Sequence, residues 1–216
     1  MLNRKAFTMI ELVFAIVVVG ILAATALARL DRDHKQDAAV QILQDIRYTQ
    51  HLALMDDKTN PRNVLWQKTL WLIQFNSRNS STTWMYYVAS NRDAAGDIDT
   101  NEAAFDPVNG ERLFDNNNGI QDSGESSRIF LTQNFGIKGI RFNTTDVGAN
   151  STSAAQHVAF DFMGRPHRGI FGATNTYSKV MQEDLNITFT MSDDQEFSII
   201  IEEQTGYAYI DGQPNS

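Results

Sequence analysis

Glu11 is the single ionisable side chain in the 22 residues Phe7–Ala28, FTMIELVFAIVVVGILAATALA. A carboxylate inside an apolar helix costs about 2.5–3.5 kcal/mol even on the most lenient scale, so it calls for a partner of opposite charge. A second set of oxygen donors lies mid-chain in Asp115-Asn116-Asn117-Asn118-Gly119-Ile120-Gln121-Asp122-Ser123-Gly124-Glu125. Asp115, Asn117, Asp122 and Glu125 surround a tight glycine turn, and hard cations such as calcium want several oxygens so arranged. The run is one residue short of D-x-N-x-N-G-x-x-D-x-G-E. Aligned on Gly119, its first ligand position is Phe114, and Asp115 has to serve from the next. The other reading is a solvated Asn-Gly-rich loop that closes a hairpin.

Other chemistry is poorly supported. The four histidines, His34, His51, His157 and His167, form no H-E-x-x-H pair. Phosphate-cradling and nucleophile-elbow motifs are missing. With no cysteine in the chain, thiolate metal sites, disulfides and cysteine nucleophiles are excluded. The sequence therefore predicts no enzyme and requires no cofactor, calcium being the one ion it suggests. A formal charge of −8 disfavours nucleic acid, whose backbone is bound by displacing counterions with Lys and Arg. Lys138, Arg141, Arg165, His167 and Arg168 would make a local basic patch if their segments adjoined, although scattered charges are more often a solvated face.

The elements that carry these groups can be read from periodicity. Met1–Ala6 is short and basic through Arg4 and Lys5. Phe7–Ala28 would span roughly 33 Å as a helix, enough for a bilayer core, with the basic end cytoplasmic. A cleaved secretory signal, a plain membrane anchor and an assembly helix are all compatible with that length. Arg29–Asp57 holds no Gly or Pro. Ala39, Ile42, Leu43, Ile46, Ala53 and Leu54 fall on one stripe, interrupted by Gln50, and Asp45 is assigned to the polar remainder. One helix of about 50 residues, ending by Asn60-Pro61, is expected. Strands are predicted at 68–75, 83–88, 128–132, 139–143, 157–162, 186–191, 197–202 and 207–210. Between them, 89–127 is an acidic insertion in which nine carboxylates face only Arg92 and Arg112.

Phe7-Thr8-Met9-Ile10-Glu11 after a basic leader resembles the type IV prepilin processing motif. The resemblance implies cleavage between Ala6 and Phe7 and N-methylation of Phe7 by a prepilin peptidase. Ala6 stands where the family usually has Gly. It makes Glu11 an assembly residue, one turn from the new amine and able to neutralise that amine or a neighbour's. His157–Pro166 and the C-terminal strand pairs resemble the GspH/FimT minor pseudopilins and minor pilins. The implied fold is α+β, a pilin-like lollipop whose long N-terminal helix, membrane-spanning in its first half, packs on an antiparallel sheet. Its parts would be a leader at 1–6, a transmembrane and assembly helix at 7–28, and a periplasmic domain at 29–216. Expected partners are other pilins in a filament, the peptidase and the inner membrane, with nucleic acid disfavoured. Without the leader the charge falls to −10. The function this implies is a structural subunit of a type II secretion pseudopilus. A minor pilin of a pilus or DNA-uptake machine and a membrane-anchored binding protein are the alternatives.

Overall fold

The computed structural model describes residues 9–78, 82–95, 98–116, 118–142, 156–174, 177 and 179–216, and only the backbone of 24–33. The chain divides into two compact units, 1–37 and 38–216. Helix α1 runs Met9–Met55, within a residue or two of the ends expected from its composition.

In the first unit the described side chains run from Met9 to Ala23, and all are exposed. Eleven of them are large and apolar, from Met9 to Leu22. Successive residues of a helix turn by about 100°, so this run is apolar on every face. Water is a poor solvent for such a surface, and only an apolar medium or other helices would cover it. Among the described residues no helix is long and apolar enough to cross a membrane. The described side chains span about 22 Å of helix, against a hydrocarbon core of about 30 Å. Phe7, Thr8 and the side chains of 24–28, the rest of the predicted span, lie outside the described residues.

In the second unit α1 supplies Ala38, Ala39, Ile42, Leu43, Ile46 and Ala53 to the core. The predicted stripe is thus buried except at Leu54, which is half exposed. Two four-stranded antiparallel sheets complete the core. One has the order β2-β1-β4-β5, from Thr83–Ser90, Trp71–Arg78, Gln156–Phe160 and Pro166–His167. The other has the order β3-β6-β7-β8, from Ile137–Phe142, Leu185–Met191, Glu196–Ile201 and Ala208–Ile210. Phe75 of β1 meets Phe142 of β3 and Phe189 of β6 edge-on, at ring separations of 6.0 and 5.5 Å, so the sheets share one core. Strand β6 alternates buried and half-buried residues along its whole length, the period-2 pattern of a sheet covered on one face.

One predicted strand is wrong. Residues 128–132 form a 3-10 turn, Ser127–Ile129, followed by the short helix α2, Leu131–Phe135. Local capping overrides the β-branched composition here. The Ser126 hydroxyl accepts from Arg128 N, and Gly136 ends α2 in the left-handed region with its N–H on Thr132 O. Residues 66–69 likewise form a 3-10 turn, so β1 starts at Trp71 rather than Lys68. Asn143 lies outside the described residues.

Candidate functional site

Glu11 sits in the first turn of α1 and is exposed among exposed Ile10, Leu12, Phe14 and Ala15. Its helix position is the expected one. Ala6 and Phe7 lie outside the described residues, so the distance from Glu11 to a new amine is not part of the structure.

The acidic insertion is packed in part: Glu102, Asp106, Asp115 and Glu125 are buried, while Asp93, Asp99 and Asp122 are exposed. Ala104 N donates to Val88 O, Val88 N to Leu113 O and Leu113 N to Ala104 O, at 2.8, 3.1 and 2.9 Å. Leu113 and Phe114 enter the core, with Phe114 4.7 Å from the Tyr87 ring. Little regular structure runs through this segment, and its carboxylates take the place of ladder carbonyls. Glu102 accepts from Arg92 N and Asp99 N, Asp106 from Val108 N and Asp93 from Ala95 N. Short acids that accept from nearby backbone N–H groups fix the turns of such an irregular segment.

The candidate calcium residues follow the same habit. Asp115 Oδ1 accepts from Gly119 N at 3.0 Å. Glu125 accepts from Asn116 N through Oε1 and from Asp122 N through Oε2, at 2.8 and 2.9 Å. Asp122 Oδ2 accepts from Asn118 Nδ2 at 2.7 Å. Asp115 Oδ2 is buried, 3.9 Å from Arg78 Nε. Burial pushes the Asp115 carboxyl up, and the nearby Glu125 adds to the rise. Asn117 lies outside the described residues. Among the described residues no three acids or histidines converge as a metal-holding group. An ion at this loop would share carboxylates that the turn already uses as backbone acceptors.

The basic patch does not form. Lys138 pairs with Asp194 at 2.5 Å and Arg141 with Glu196 at 2.8 Å. Arg165 pairs with Asp161 at 2.7 Å. His167 is buried, and Arg168 is buried with its guanidinium 4.8 Å from the Phe142 ring centre. Lys138, Arg141 and Arg165 are matched by acids that neighbouring segments bring. Asp161 organises the β4–β5 turn, accepting from Met163 N and Arg165 N and contacting His167 Nε2 at 3.3 Å. Burial alone would raise its carboxyl, but His167 and Arg165 outweigh burial and hold it below the usual carboxylate range. His157 accepts from Ile170 N at 3.1 Å. Burial, with Arg168 and Lys179 near, pushes it down to about 3, so it stays neutral. These groups serve turns rather than acid–base work.

A buried ionic network was not foreseen. Asp45, placed on the polar face by sequence reasoning, is 2% exposed. It accepts from Tyr86 Oη at 2.5 Å and from Arg128 Nη2 at 2.9 Å. Arg128 Nη1 also lies 3.7 Å from Asp106, which accepts from Ser126 Oγ at 2.6 Å. The signal was present: Ile42, Asp45, Ile46 and Thr49 share the i, i+3, i+4, i+7 spacing of the core face. Gln50, the other interruption of the stripe, bridges two turns. Its Nε2 donates to Gly164 O at 2.9 Å and Thr205 O at 3.0 Å.

Residues 1–27 match the family model of the prokaryotic N-terminal methylation motif. The match supports a type IV pilin-like protein. It covers the leader, the basic residues and Glu11, and it implies processing by a prepilin peptidase and assembly with other pilins. Proteins with this motif are structural rather than enzymatic, and the motif suggests a membrane-anchored pilin-like chain. No curated protein and no solved structure matches the chain.

Proposed function

We propose that this pilin-like protein is a minor pseudopilin of the GspH/FimT kind, assembling through its N-terminal helix into a type II secretion pseudopilus. One observation carries the assembly role. The methylation motif at 1–27 coincides with a helix whose apolar side chains are exposed on every face around Glu11. A surface of that kind is covered by lipid before assembly and by neighbouring helices after it. A carboxylate in that setting is stabilised by an amine, and cleavage before Phe7 supplies one at the positive end of the helix. In this reading the N-terminus is cytoplasmic, the helix lies in the inner membrane and the second unit is periplasmic. The secretion reading, rather than DNA uptake, is supported by the mature charge of −10 and by the pairing of Lys138, Arg141 and Arg165 with acids.

Two measurements test it. Intact-mass analysis of chain co-produced with a prepilin peptidase should give N-methylated Phe7 as the first residue. An uncut Met1, or a start after Ala26 or Ala28, overturns the processing. Deleting the gene should block release of secreted proteins across the outer membrane. Normal secretion with lost DNA uptake would assign the subunit to a pilus machine instead.

A further inference from the structure

The network around Asp45 has an unbalanced charge count. Two carboxylates are buried, Asp45 at 2% and Asp106 at 1% exposure. Among the described residues, Arg128 is the one cation within salt-bridge distance of either. The other titratable groups that face them are phenols, Tyr86 from β2 and Tyr48 from α1. Burial pushes both phenols up, and the two acids raise Tyr48 further, so neither donates its proton away. Ser126 and Thr49 complete the surroundings, Ser126 donating to Asp106 and Thr49 to the backbone oxygen of Asp45 at 2.7 Å. A surplus negative charge in a low-dielectric site is costly, and a proton is the cheapest counter-ion that fits.

We propose that this network is a proton-binding site: Asp45, buried beside Asp106 with one guanidinium between them, takes up one proton in mildly acid solution and then holds the acidic insertion more tightly to α1. Two neutral bonds already join the same parts. Gln41 Nε2 donates to Arg128 O and Tyr48 Oη to Phe105 O, both at 2.9 Å. Removing the surplus charge therefore strengthens an existing seam without forming a new one.

The direction of the effect follows from linkage. Burial raises the Asp45 carboxyl from 3.8 to about 6 despite the pull of Tyr86 and Arg128, and the Asp106 charge adds to the rise. A raised folded-state value means stability fully present below about 3.8 and lost as pH rises through about 6. His157 acts oppositely. Its folded value of about 3 lies below the ordinary 6.5, so it withdraws stability as pH falls through the same interval. The two act in opposite directions, so the wild-type curve alone does not isolate the site.

The test compares full-length wild type with Asp45→Asn in detergent, measuring unfolding at several pH values between 4 and 6. The ratio of their unfolding constants cancels His157 and every other distant group. It should change about thirtyfold between pH 6 and pH 4, wild type gaining as pH falls. A ratio independent of pH, or one that changes in the opposite direction, overturns the proposal. Infrared spectroscopy of folded wild type gives a second readout that needs no Asp45 variant. A protonated-carboxyl band should grow in near pH 6, and Asp106→Asn should move its appearance to lower pH. Absence of the band above pH 5 overturns the site, and a band unmoved by Asp106→Asn overturns the shared-charge account.

Discussion

Glu11 and Asp45 are carboxylates on the same helix, in opposite settings. Glu11 lies in the first unit among apolar side chains that the described structure leaves exposed. Asp45 lies in the second unit, buried, with Tyr86 and Arg128 supplied by distant parts of its own chain. The comparison separates two uses of a costly charge. Where the chain supplies the counter-charge, the residue belongs to the fold. For Glu11 the proposed role is assembly, in which its carboxylate meets the processed amine of this or a neighbouring subunit.

The largest effect should come from Glu11→Ala. Loss of a low-dielectric partner costs about 3–5 kcal/mol, so the subunit should vanish from isolated filaments while the melting of the second unit stays unchanged. Mutant subunit recovered at normal levels would break the contrast. Next is Arg128→Met, which leaves Asp45 and Asp106 without their cation. Arg128 is one-fifth exposed, so the loss should fall to about 2–4 kcal/mol of folding stability. Filament incorporation of the protein that still folds should be unaffected. Denaturant midpoints and filament recovery measure the two sides, and a midpoint equal to wild type would show that the network contributes nothing.

Gly206→Ala sharpens the fold side of the comparison. Gly206 has φ +67°, and a Cβ there would lie 2.2 Å from Gly164 O and 2.7 Å from Gln50 Nε2. Strained backbone together with a clash against another backbone oxygen should cost about 2 kcal/mol. Gly212→Ala, at φ +78° with open space around it, is the control for backbone strain alone. Equal losses in both would remove the close approach as a cause. The smallest effect expected is from Glu125→Gln. It replaces one of two carboxylate acceptors with a donor facing Asp122 N, for about 1 kcal/mol. The loss should be the same with calcium or with a chelator. A loss that appears only in calcium would mean that the ion binds through Glu125.

Much of the fold was legible because it rests on local periodicity. The helix, its buried stripe and seven of the eight strands follow from 3.6- and 2-residue patterns. Strand β5 has two residues, Pro166 and His167, too few to show a period. The 128–132 error has a different origin: its apolar residues are core, but Ser126 and Gly136 set the backbone. At the candidate sites, Glu11 stood out as a lone charge in an apolar run. Asp45 sits at the core spacing of α1, but its role depends on partners 41 and 83 residues away, which no local pattern places. The basic patch failed for the same reason. Its cations were visible, but their acids Asp194 and Glu196 come from the far side of a hairpin.

The bridge made by Gln50 also sets a timetable. The carbonyls it holds lie 114 and 155 residues further along the chain, and Arg47 reaches Ala208 O across 161. At synthesis rates of roughly 5–20 residues per second, the later of the two turns emerges some 8 to 30 s after the glutamine. Through that interval the core stripe of α1 has no β6–β8 to cover it. Contacts so distant in sequence also slow folding itself. The newborn chain is therefore exposed to mispairing for most of its synthesis.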